Sequence, residues 1–224
     1  MNKVSDRAIN NLEATLDRMI DIVRAQLENV VRCLDRSDSI LSEEAVKLYS
    51  HVEATGHEVE DAATVLLATR QPVAIDLRQI IAAICVARDL EWIADLARGV
   101  SARSMEAAGN QNWRPHSSVS SMARSALYTF DTVIRAYRDR DITEAHRVLL
   151  SDLELDSLYN TVFRELTQSM TIDSRTVGQT VDMLFQAKDL ERVGDHCTNI
   201  AESVIFLVQG FPIAGNRPKD DQIN

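Results

Sequence analysis

Between residues 9 and 34 the apolar positions Ile9, Leu12, Leu16, Met19, Ile20, Val23, Leu27, Val30, Val31 and Leu34 step by three and four. That is the spacing of a single stripe along a helix, which the pattern ends near Arg36. Ser5 or Asp6 stands where a cap is needed, and DRSDSI is a polar connector. Ser42 caps a second helix, led by Glu43 and Glu44 at the positive end of its dipole. Leu48, Val52, Val59, Ala63, Leu66 and Leu67 carry it to about Arg70. Pro72 ends that helix and suits the first turn of a third, over 73–105. After a break, Ser118 opens a fourth helix through Val119, Met122, Ala126, Phe130, Val133, Ile134 and Tyr137. Thr143 starts a fifth through Leu149, Leu155, Leu158, Val162 and Leu166. The turn TIDS leads to a sixth over 175–208, closed by Gly210 and Pro212.

The break is AAGNQNWRPHSS, residues 107–118, which reads as a linker with Trp113 packing across the hinge. Short loops elsewhere make neighbouring helices antiparallel. The expected fold is all-α: two tandem, homologous three-helix bundles, six helices in total. Residues 1–106 form the first bundle, 107–118 the linker, 119–210 the second bundle and 211–224 a disordered tail.

The homology is visible in the chain itself. RDLEWIADL begins at Arg88, and KDLERVGDHCTNIAE begins at Lys188, one hundred residues later. Ala87/Ala187, Asp89/Asp189, Leu90/Leu190, Glu91/Glu191 and Asp95/Asp195 are identical at that offset, as are Gln79/Gln179. A fixed period with this much identity is an internal repeat.

Composition narrows the class. Glycine (7) and proline (4) are scarce and aromatics are 5% of the chain, which suits helices better than a sandwich or an α/β sheet. A net charge of −10 with no basic stripe argues against nucleic acid. Cys33, Cys85 and Cys197 are scattered and odd in number, so they read as reduced, mostly buried small hydrophobes of a cytoplasmic chain. No apolar run marks a secretory signal or spans a bilayer.

Both copies of the repeat hold Glu-x-x-x-Asp, and residues four apart on a helix share a face. Glu91 and Asp95 continue the stripe of Leu77 and Ile84, and Glu191 and Asp195 that of Val177 and Leu184. Bare charge is costly to bury, so these acids belong at the rim of the stripe or at one end of a bundle. Folding the fifth and sixth helices back near Ile172 brings Asp152 and Asp156 within a turn of Glu191 and Asp195. Folding around Pro72 brings Glu53 and His57 level with Glu91 and its neighbours. Oxygen-rich clusters of this kind suit Mg, Mn or Fe, and an imidazole such as His57 also suits Fe or Zn. The other reading is a set of surface carboxylates neutralised by Arg88, Arg98, Lys188 and Arg192. The residues leave both open. His196 points elsewhere on its helix and reads as a polar packing residue; His51, His116 and His146 have no constellation.

KDLERVGDHCTNIAE with the following VIFLVQG, and RQPVAIDLRQI with ARDLEWIAD, resemble the PhoU family of phosphate-signalling regulators. The resemblance covers the chain from the first helix to Gly210 and implies two three-helix bundles in tandem. It implies a cytoplasmic accessory of the phosphate ABC transporter that represses phosphate uptake and the phosphate-starvation response when phosphate is plentiful. Its partners would be the transporter's ATPase subunit and the phosphate-sensing histidine kinase, reached at the membrane only through them. It would act as a homodimer without an organic cofactor. Some family members bind iron, zinc or other metals at paired acidic motifs, which carry over to Glu91 and Asp95, Glu191 and Asp195, and Asp152 and Asp156. In the first half Trp92 replaces the usual Arg, Ala94 the usual Gly, and Glu53/His57 stands where an acidic pair is expected. The second-half site is therefore expected to bind metal more tightly.

Two other classes compete with a regulatory adaptor: a carboxylate-bridged metal enzyme and a metal-free helical interaction module. No histidine has a Glu three residues before it, as bundle metal enzymes require, and no Ser or Cys nucleophile or phosphate-cradling Gly-rich loop is present. The chain is therefore not expected to be an enzyme.

Overall fold

The computed structural model describes residues 3–36, 39–108, 116–172 and 177–211. It contains six helices: α1 Lys3–Arg36, α2 Ser39–Arg70, α3 Ala74–Ala108, α4 Ser117–Asp139, α5 Ile142–Ile172 and α6 Val177–Gln209. No strand occurs among the described residues. Helices α1, α2 and α3 pack on one another, as do α4, α5 and α6, giving the two tandem three-helix bundles. Most of the linker, Trp113 included, and the tail beyond Phe211 lie outside the described residues.

Several helix ends differ from the sequence expectation, while the close of α6 at Gly210 agrees with it. Helix α2 starts at Ser39, a turn earlier than Ser42 suggests. Pro72 lies in the α2–α3 connector and not in the first turn of α3, between Gln71 at φ 46° and Ala74 at φ 48°. Asp141, not Thr143, caps α5: its Oδ1 accepts from the amides of Thr143 (2.8 Å) and Glu144 (3.2 Å). His116 caps α4. Helix α4 ends on Arg140 in the left-handed region, whose amide bonds back to Ala136 and Tyr137. Gly210, at φ 84°, closes α6 with its amide 2.8 Å from the Phe206 carbonyl.

The two bundles share one continuous apolar core, because α3 packs on α6 and α1 on α4. The four contacts α1–α3, α3–α6, α6–α4 and α4–α1 close a central ring of helices, with α2 laid outside α1/α3 and α5 outside α4/α6. Phe130, Leu12, Leu16, Leu90 and Ile93 are all essentially inaccessible. Buried polar side chains tie the layers together. Gln26 donates to the carbonyls of Ala45 (2.9 Å) and Ala94 (3.0 Å), joining α1, α2 and α3. Gln186 on α6 donates to Ser104 (2.8 Å) and the Val100 carbonyl on α3, and Ser120 on α4 to the Leu34 carbonyl on α1. Along the solvent side of α1–α4, Arg24 bonds Asp131, and Arg138 bonds Asp17 and Asp21, a row of exposed pairs that adds little stability each.

Candidate functional site

The acidic motifs sit midway along their helices, at the seams where α2 meets α3 and α5 meets α6, and not at a bundle end. A carboxylate there keeps one side on the core and the other on water. In the second half, Glu191 is largely enclosed, its side chain 13% exposed. Lys188 Nζ hydrogen-bonds Glu191 Oε1 at 2.8 Å and lies 2.7 Å from Oε2, which is buried and receives no directional hydrogen bond. Burial pushes the Glu191 carboxyl above its ordinary range, Lys188 opposes that, and Asp195 and Asp156 push further up. Asp152 lies over Gly194 on the facing helix: a Cβ there would stand 3.3 Å from Asp152 Oδ1 and 2.5 Å from Leu155 Cδ2. Glycine at 194 is what lets α5 come this close. The fold thus brings Asp152 and Asp156 to the α6 motif.

In the first half, the Glu91 carboxylate lies against Gly56 of α2, where a Cβ would overlap its Oε1. Burial raises Glu91 above its ordinary range; Glu60 raises it further, His57 opposes, and Glu53 again raises. Glu53 and His57 therefore lie within electrostatic range of Glu91, but Gly56, and not Glu53, stands directly against its carboxylate, and both side chains are exposed. Asp95 faces a cation instead: Arg98 forks onto it and also lies 4.9 Å from the centre of the Tyr49 ring. Tyr49 in turn bonds Glu53. Glu60 and Tyr49 were missed from sequence, although Glu53, His57 and Glu60 stand four and three apart on one stripe of α2.

Of the basic residues expected to neutralise the acids, Arg98 and Lys188 do so. Arg192 instead acts on Asp189, and Arg88 lines a groove between α3 and α6. Among the described residues, no three His, Cys, Asp or Glu side chains converge as a ready ligand set. The chemistry of the second-half oxygens is nonetheless that of hard-cation ligands. They are all carboxylate oxygens, the ligand type such a cation takes, although the Lys188 ammonium already lies 2.7 Å from Glu191 Oε2 and offsets part of their repulsion.

These shifts have a consequence for acid stability. Glu13, Glu91, Asp189 and Glu191 all have carboxyls raised, with burial the first cause in each. Each holds its proton more tightly folded than unfolded. The stability this confers is complete below the ordinary carboxylate range and is lost as pH rises through the raised values. Metal-free protein should therefore melt at a higher temperature near pH 5 than near pH 7, and Glu191→Gln should shrink the difference. A thermal melt that falls steadily on acidification over that range contradicts this assignment.

The second constellation joins the bundles. Asp89 of α3 is 3% exposed. Its Oδ1 lies 2.9 Å from His196 Nδ1 and accepts from Asn199 Nδ2 at 2.9 Å, both on α6. Trp92 stacks flat on His196, ring centres 5.9 Å apart. His196 is thus the polar packing residue its position suggested. The symmetry-related acid, Asp189 of α6, takes Arg103 of α3 at 2.6 Å. Both acids were visible as identities of the repeat, but their partners are not in it.

The sequence profile of the PhoU domain matches this chain twice, over residues 16–103 and 119–204. A phosphate-specific transport system accessory protein PhoU homolog of Rhizobium meliloti is 32% identical over 217 residues, covering 96% of this chain and 92% of that protein. One from Caulobacter vibrioides is 33% identical over 215 residues, covering 96% and 94%. The crystal structure of PhoU from Pseudomonas aeruginosa superposes with a TM-score of 0.88 at 28% identity, covering 92% of this chain and 99% of that one.

Proposed function

This chain belongs to the PhoU family, and from that premise we propose that it is a cytoplasmic negative regulator of phosphate uptake and phosphate-starvation signalling. It couples the phosphate ABC transporter, through its ATPase subunit, to the phosphate-sensing histidine kinase, and it acts as a homodimer without catalysis. The observation that carries this reading is similarity along 96% of the chain to proteins named accessory to phosphate-specific transport. The physical picture is compatible with it. The described helices include none long and apolar enough to cross a membrane. The net charge of −10 suits basic partner surfaces, with rim charges setting the rate of association more than its strength. Deleting the gene should derepress phosphate-starvation genes in phosphate-replete medium. Pull-down should recover the ATPase subunit and the kinase, less well at high salt. An unchanged reporter together with neither protein captured sinks the reading.

We further propose that Asp152, Asp156, Glu191 and Asp195 hold a metal ion, drawn from Fe, Zn, Mn or Mg, and that Glu91, Asp95, Glu53 and His57 hold one more weakly. A bound cation would neutralise carboxylates that otherwise repel and would bridge facing helices. The pairing of Asp95 with Arg98, and the exposure of Glu53 and His57, support the weaker assignment of the first half. Asp156→Ala with Glu191→Ala should therefore lower bound metal more than Glu53→Ala with Glu91→Ala, by elemental analysis of purified protein. Equal losses overturn the ranking. Absence of metal from wild-type protein supports the metal-free interaction module instead, a reading favoured by the lack of a converged ligand triad among the described residues.

A further inference from the structure

The repeat makes α3 and α6 internal copies, and their contacts come in exchanged pairs. Gly99 of α3 stands against Asp189 of α6, and Asn199 of α6 against Asp89 of α3. The crossing of the two helices therefore has two related grooves. In one, Arg103 reaches over from α3. Its Nη1 is 2.6 Å from Asp189 Oδ2, and its guanidinium lies 5.4 Å from the centre of the Phe185 ring. One hundred residues along, the corresponding positions hold Ser203 for Arg103 and Cys85 for Phe185. Two large side chains are replaced by two small ones, and the second groove is a cavity of about 330 Å³.

Asp89, Asn199, Glu202, Ser203, Cys85 and Phe206 line that cavity, with Arg88 beside them. Its charged lining is Arg88, Asp89 and Glu202, with His196 bonded to Asp89. The Asp89 carboxylate is nearly inaccessible, and both of its hydrogen bonds end on Oδ1. We propose that this cavity binds a guanidinium group, which enters where Arg103 lies in the other groove and meets Asp89 as Arg103 meets Asp189. A planar guanidinium matches a carboxylate edge better than an ammonium does, and it stacks on rings. Phe206 supplies a ring in the lining. The volume is at the small end of ligand cavities, roughly 300–1,000 Å³, and has room for one arginine side chain or a small guanidine. The group belongs either to a free small guanidine or to an arginine presented by a partner protein.

Agmatine titrated into the full chain, with N-butylurea as the neutral control, tests the chemistry by calorimetry or ligand-observed NMR. Agmatine should bind at one site and butylurea should not. Ser203→Arg places an arginine in the cavity from within and should weaken agmatine at least about tenfold. Cys85→Phe, which closes the groove with the residue its counterpart carries, should do the same and serves if the first variant fails to fold. Arg103→Ser opens the other groove and should add a second site. A short acetylated Gly-Arg-Gly amide separates the sources: its binding admits a protein-borne arginine, and its exclusion while agmatine binds restricts the cavity to small guanidines. No binding of either probe, equal binding of butylurea, or undiminished binding by both filling variants overturns the proposal.

Discussion

Truncating Phe130 to alanine is expected to cost about 3–5 kcal/mol of folding stability, the range for removing a fully buried aromatic ring. Phe130 is 0% exposed and lies on α4, yet the core it belongs to runs without interruption into α1 and α3 of the other half. A cavity there weakens both bundles together. The loss should therefore appear as a lower denaturant midpoint in a single transition. Val65→Ala, at a position 60% exposed, should stay within about 0.5 kcal/mol of the parent. Two resolved transitions, with only the second half shifted by Phe130→Ala, would show that the halves fold independently and that the shared core couples them weakly.

Replacing Asp89 with alanine should be the most damaging change among the polar residues. It removes the acceptor of two hydrogen bonds in the α3–α6 interface, each to a charged group and each worth about 1.5–3 kcal/mol, and leaves His196 and Asn199 without that partner. A net loss of about 3 kcal/mol is expected. Asp89→Asn keeps an oxygen in place and should lose roughly half as much. Asp189→Ala should cost less than Asp89→Ala, because the Arg103 side chain it releases is 30% exposed and can turn to water. Trp92 gives an independent signal: its stack on His196 should loosen in Asp89→Ala and shift the indole emission. Stability within about 0.5 kcal/mol of the parent would mean that apolar packing alone holds α3 on α6.

Much of the candidate site was legible before any tertiary structure. The Glu-x-x-x-Asp pairs share a helix face by geometry, and a hairpin with a short turn can only fold back on itself. Asp152 and Asp156 therefore had to reach the α6 motif. The register was less secure in the first half. The α2–α3 junction, with Gln71 in the connector and Ala74 at the start of α3 both at positive φ, sets Glu91 against Gly56 and within range of Glu60. A level count from Pro72 places it opposite Glu53. A slip of under one helical turn was enough to hide a charged neighbour.

What the sequence by itself determined is local: six apolar stripes of helical period, their division into two homologous triplets, and acids at the edge of a stripe. These follow from bond geometry and the cost of burying charge, which act within a helix or across one turn. What covers each stripe was decided only by the tertiary structure. An apolar stripe of Leu, Ile, Val and Ala will accept any complementary stripe, so its periodicity does not name its partner. The packing of α3 on α6 set Asp89 beside His196 and Asn199, more than a hundred residues away. It also turned the exchange of Arg103 for Ser203 and of Phe185 for Cys85 from unremarked mismatches in a repeat into a cavity with a carboxylate in its wall. Side chains that act across an interface carry no periodic signature, because their spacing is set by the crossing of two helices and not by the pitch of either.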